Sequence, residues 1–156
     1  MDKVRRMLVT VQAAPDCIDV VSYAASLAEM LHAKLFILDI VFNPFAYRGW
    51  NLPLLLNQTD YDRLLASVRD RLRAMTEGDL KKRVEVETLM REGEPAAQII
   101  SVVEEERIDL LVLPAHEETR IEHFLSGKMT AKIVRTMPCS VLLVKQAAEV
   151  LCEPVA

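Results

Sequence analysis

Gly127 and Lys128, with Thr130 two residues on, come closest in this chain to phosphate chemistry. A nucleoside-triphosphate loop of the Walker kind needs an earlier glycine, separated from Gly-Lys by four residues. It also needs Ser or Thr immediately after the lysine, to reach a magnesium ion. Position 122 is Glu and position 129 is Met, so the likeness is one of composition only. His116, Glu117 and His123 have side chains suited to a metal or to acid–base work. His116-Glu117 lacks the second histidine four residues on that a zinc-binding helix uses, and position 120 is Arg. In a charged loop these read as surface residues. There is no Gly-x-Ser-x-Gly elbow for a nucleophilic serine, and no catalytic residue is expected. Cys17, Cys139 and Cys152 are odd in number and widely spaced, without a Cys-x-x-Cys pair. A disulfide framework or zinc knuckle is therefore not expected, nor is any other metal site. Cys152, near the C-terminal end, is the thiol most open to oxidation.

Bulk properties narrow the class. A chain of 156 residues fits a single domain with a proper core, and 51% apolar with 27% charged residues is ordinary globular composition. Nineteen Lys and Arg against 23 Asp and Glu leave a net charge of −4, which argues against a nucleic-acid partner. No apolar run has membrane-spanning length, and MDKVRRMLVTV lacks the h-region of a signal peptide. The expectation is a cytoplasmic protein with no membrane partner.

The elements that must position the 114–130 segment follow from periodicity. Met7 to Val11, Leu35 to Val41, Leu110 to Leu113 and Val141 to Val144 are short apolar runs, as in strands covered on both faces. Val84, Val86, Thr88 and Met90 alternate with more polar neighbours and predict a half-exposed edge strand over Val84–Met90. Helices are predicted between them: from an Asp16 cap through about His32, from Asp60 to Thr76, over Ala96 to Arg107 opened by Glu94 or Pro95, and after Gly127. Leu64, Leu65, Val68, Leu72 and Met75 form the apolar stripe of the second helix. Arg63, Arg69, Asp70, Arg71 and Arg73 form a face expected to be solvated. Asp39 is the odd residue in its apolar strand, read as a satisfied structural group or as a carboxylate facing the ligand crevice. The irregular 42–59 segment carries Phe42, Phe45, Tyr47 and Trp50. Its two readings are a loop packed on the sheet and a docking surface for a protein partner.

Strand–helix alternation with right-handed crossovers makes a doubly wound, Rossmann-like α/β fold with helices on both faces. Residues 1–146 would form the domain and 147–156 a tail. In such sheets ligands bind beyond the carboxyl ends of the strands, where strand order reverses.

The run Gly127-x-x-x-Ala131-Lys132-Ile133-Val134-Arg135-x-x-Pro138-Cys139-x-Val141-Leu142-Leu143-Val144, with the Arg91-x-Gly93-x-Pro95 turn, resembles the universal stress protein family. The resemblance covers nearly the whole chain. It implies a five-stranded parallel sheet in the order 3-2-1-4-5, and a homodimer formed by pairing last strands through Val141, Leu142, Leu143 and Val144. An uncovered apolar edge is also an aggregation hazard, which agrees with such pairing. Nucleotide-binding members carry Gly-x-x-Gly, nine residues, then Gly-Ser or Gly-Thr. Here those positions hold Pro114, Glu117, Gly127 and Lys128, and Gln12 stands where similar ATP-binding members have aspartate. The resemblance implies nucleotide contacts, where a nucleotide is bound, at Gln12, Val41, His116, Gly127, Lys128 and Met129.

The departures from that motif all weigh against a triphosphate. Pro114 removes an N–H donor. Glu117 and Glu118 place carboxylates where phosphate would sit, and one carboxylate within ~4 Å costs about 1–4 kcal/mol of repulsion. A lost hydrogen bond to a charged group costs roughly 1.5–3 kcal/mol more. Lys128 offsets part of this. The expectation is a stress-response binding or regulatory protein without a cofactor. The alternatives are a switch that binds ATP or AMP, an enzyme of the wider nucleotide α-hydrolase-like superfamily, and an adaptor docking through the 42–59 loop.

Overall fold

The computed structural model describes residues 3–11, 17–41, 57–115, 127–136 and 138–145. Strands β1 (Arg6–Val11), β2 (Lys34–Val41), β3 (Val86–Glu92), β4 (Leu110–Ala115) and β5 (Ser140–Lys145) form one sheet in the order β3-β2-β1-β4-β5. Every neighbouring pair is parallel. Helices α1 (Cys17–Leu31), α2 (Gln58–Thr76), α3 (Asp79–Arg83), α4 (Pro95–Glu105) and α5 (Gly127–Thr136) complete the described elements. The fold class and strand order agree with the expectation.

Period-two alternation divides the apolar strands between two cores. Met7, Val9, Val11, Leu35, Ile37 and Val41 join the core under α1 and α2. Leu8, Phe36, Leu38, Leu111 and Leu113 join the core under α4 and α5. Because β1, β2 and β4 are covered on both faces, their sequences read as unbroken apolar runs. Burying each large side chain stabilises by about 1.5–3 kcal/mol. The outer strands differ: β3 is mostly half-buried, as its alternation predicted, and Leu143 of β5 is 49% exposed.

Several boundaries shift from the sequence reading for local reasons. Helix α2 starts before Asp60, because the Asn57 side chain accepts the Asp60 N–H at 2.9 Å and Asp60 falls in the first turn. The third strand runs from Val86 to Glu92 instead of Val84 to Met90. Val84 is buried but terminates α3, a five-residue helix too short to show a period. Helices α1 and α4 both end on a non-glycine residue in the left-handed region, His32 (φ 53°) and Arg107 (φ 50°). In each case the following N–H bonds five residues back, Ala33 to Ala28 O and Ile108 to Val103 O, both at 2.9 Å. The start of α4 agrees with the expectation: the Glu94 side chain caps it, with Pro95 at its first position.

Candidate functional site

Strand order reverses at β1, which lies between β2 and β4. The crevice implied by this topology therefore opens beyond the carboxyl ends of β1 and β4. Of the six residues expected there, the structure describes four: Val41, and Gly127, Lys128 and Met129 in the first turn of α5. Gln12 and His116 lie outside the described residues, as do Glu117, Glu118, His123, Cys152, most of the 42–59 segment and the 147–156 tail.

Val41 ends β2 opposite Glu92 and is 6% exposed; its side chain belongs to the core under α1 and α2. Its carbonyl accepts the Gly93 N–H at 3.2 Å. Gly93 itself sits at φ 134°, a conformation that strains any residue with a Cβ. Gly127, Lys128 and Met129 form the opening turn of α5, whose backbone N–H groups have no partner within the helix itself. Such a terminus favours an anion. Pro114 is buried within β4 and registers with Val144 of β5, and Ala115 registers with Lys145. The strand thus runs straight through the proline.

The charged groups nearest this end of the sheet were only partly legible in the sequence. Asp39 registers with Val11, the last residue of β1, and its side chain is 3% exposed. It is held by the Arg71 guanidinium of α2. Of its two readings the structural one applies, and Arg71 does not lie on a solvated face as the charge pattern suggested. Burial raises the Asp39 carboxyl above the ordinary carboxylate range, with Arg71 and the Ile40 backbone N–H opposing that rise. The Arg71 Nε is buried and has no hydrogen-bond partner among the described residues. One turn below the start of α2, the Tyr61 hydroxyl donates to Glu92 Oε2 at 2.8 Å. Its phenol is pushed up to about 12, first by burial and then by the Glu92 carboxylate. The signal that could have found Arg71 was Asp39 itself, since a carboxylate in an apolar strand requires a partner.

On the opposite face Glu94 joins two elements. Its carboxylate accepts the Ala96 and Ala97 N–H groups at 3.2 and 2.8 Å, and Lys132 Nζ of α5 at 3.0 Å. Burial alone would raise its pKa, but Lys132 and the two N–H groups outweigh burial and hold it below the usual value.

No group of three or more His, Cys, Asp or Glu side chains among the described residues is arranged to hold a metal. The half-buried Cys139 thiol is pushed up by burial, which keeps it protonated and a poor nucleophile at neutral pH. At the far end of the sheet a cavity of about 150 Å³ is lined by Glu29, His32, Lys34, Arg83 and Glu85 among others. Arg83 is paired with Glu29, and Lys34 with Glu85 at 3.2 Å and Glu87 at 2.8 Å, so both cations there are already engaged. None of the helices among the described residues is long and apolar enough to cross a membrane.

A doubly wound parallel sheet in this strand order defines a Rossmann-like α/β class. The family follows from sequence comparison: a model of the universal stress protein family matches residues 3–145, and the chain belongs to that family. A universal stress protein of Methanothermobacter thermautotrophicus is 35% identical over 78 residues, half of this chain. That match spans about half (52%) of the relative's own length. Among solved structures, a universal stress protein in complex with cAMP superposes with a TM-score of 0.68 at 20% identity. It covers 94% of this chain and 100% of that one. The universal stress protein of Archaeoglobus fulgidus in complex with dAMP superposes with a TM-score of 0.58 at 14% identity, over 92% and 100% of the two chains. At those identities the superpositions establish the fold.

Proposed function

We propose that this universal stress protein is a cytoplasmic homodimer that acts by binding and regulation, without catalysis and without ordinary ATP binding. The observation that carries the reading is Pro114. It is buried inside β4 and paired with β5 at the mouth of the crevice, where a phosphate loop needs a free N–H and a close backbone approach. The dimer would form by pairing of β5 with its copy. Leu143 is 49% exposed on this outer strand and Val141, Leu142 and Val144 are half-buried, which leaves an apolar edge in need of cover.

A second reading has its own support. Two structural neighbours hold cAMP and dAMP, nucleotides with a single phosphate. One phosphate demands fewer donors than three, and the amino terminus of α5 with Lys128 in its first turn suits one. In this reading the crevice is a switch for an adenine mononucleotide. Calorimetric titration of dialysed protein with AMP distinguishes the two. Micromolar binding that weakens at least tenfold in Lys128→Ala favours the switch, and silence to millimolar leaves the ligand-free regulator. Light scattering tests the dimer: the wild-type chain should have twice the monomer mass and Leu143→Glu the monomer mass. A dimeric Leu143→Glu would move the interface elsewhere.

A further inference from the structure

The α2 helix meets the sheet through Tyr61, Leu65, Val68, Leu72 and Met75, which join the core under α1 and α2. Their steps along the chain are four, three, four and three. A stripe of this kind is self-similar. Slide the helix by one turn, about 5.4 Å, and an apolar side chain again occupies each contact position along most of the stripe. Hydrophobic attraction is non-directional and scales with area, so it discriminates poorly between such seatings. The buried charge discriminates sharply. Asp39 has a side chain 3% exposed, and Arg71 is its partner. A one-turn slide brings Ser67 or Ala74 opposite Asp39 instead, and neither carries a cation. The Tyr61–Glu92 hydrogen bond, ten residues away along α2, is aligned with the same seating.

We propose that the Asp39–Arg71 pair is a register lock for α2: it selects one seating of a helix whose apolar stripe permits several. Buried polar groups that fix register at a cost in stability are a known use of such pairs. One-turn displacements of a helix past its neighbour are also a recurrent form of switching. The lock bears on the crevice end of the sheet. Asn57, at the start of α2, and Val41, at the end of β2, are the two ends of one connection, and a slid helix would shift Asn57 by about one turn, 5.4 Å.

The test replaces both partners by apolar residues of similar size, Asp39→Leu with Arg71→Met, in the full chain. Amide cross-peaks of residues 58–76 are then compared with those of α4 and β4 by two-dimensional NMR. The lock predicts a folded double variant with a thermal midpoint near that of the wild type. Its α2 cross-peaks should be doubled or broadened while those of α4 and β4 stay single. A single sharp set for α2 would overturn the inference, because apolar packing would then suffice to choose the register. Loss of folding would overturn it as well, since a specificity device is not what holds the domain together. Tyr61→Phe, which keeps the ion pair, should retain one set, and doubling there would assign the register to the Tyr61–Glu92 bond instead.

Discussion

The two faces of the sheet solve the same packing problem differently. Under α4 and α5 the core is apolar, from Leu8, Phe36 and Leu38 to Ile99, Leu111 and Ile133, and the Glu94–Lys132 ion pair lies at the surface. Under α1 and α2 the core is larger but encloses a carboxylate, Asp39, and the guanidinium that answers it. Each arrangement has its own energetics. A surface ion pair contributes about 0–1 kcal/mol because water already screens it. A buried pair contributes little net stability when intact, yet is costly to break from one side. The α4/α5 face is thus held by area, while the α1/α2 face is held by area and specified by charge.

That contrast is sharpest in Arg71→Met, which leaves Asp39 buried beside no cation. Chemical denaturation should show a loss of about 3–5 kcal/mol; a loss below 1 kcal/mol would mean that water reaches Asp39. On the other face, Ile99→Ala opens a cavity in the apolar core and should cost about 2–5 kcal/mol, with no change in pH dependence. Glu94→Gln keeps an oxygen for the cap but loses the charge, and an effect of ~1 kcal/mol or less is expected, the lower range for caps. Lys132→Met should be the mildest, about 0–1 kcal/mol and smaller still in molar salt. A Lys132 effect as large as that of Arg71 would erase the distinction between the faces.

The pH dependences of the two carboxylates should also run in opposite directions. Glu94 has a lowered folded pKa, so its contribution is present above the unfolded carboxylate value and is lost as pH falls through the folded one. Asp39 has a raised folded pKa. Its contribution is fully present below the unfolded value and is lost as pH rises through the folded one. Denaturation midpoints measured across the acid range should therefore lose one component in Glu94→Gln and the opposite component in Asp39→Asn. The same slope in both variants would contradict the assignment.

The fold was legible because its signal is redundant. Four strands are short apolar runs, three of them covered on both faces, the helices repeat at their own period, and the run from Gly127 to Val144 carries a family pattern. Boundaries were less legible where a side chain, not a period, sets them. Asn57 caps α2 ahead of Asp60, and His32 and Arg107 take left-handed conformations that a glycine would have announced. Helix α3 is one turn of DLKKR without any repeat to detect. Arg71 was hidden for a different reason: it was grouped by charge with Arg63 and Arg69, although its spacing of three and four residues from Val68 and Met75 puts it on the flank of the apolar stripe, from which it reaches Asp39. In the crevice, Pro114 carried its message in the sequence because a missing N–H needs no coordinates to be seen.

The claim that matters most for function is that this crevice does not take ATP in the ordinary way. Isothermal titration of the dialysed wild-type protein with Mg-ATP tests it most directly. No saturable heat is expected up to millimolar nucleotide. Stoichiometric binding with a micromolar Kd would contradict it, and would mean that the N-terminus of α5 and Lys128 supply what Pro114 and Glu117 take away.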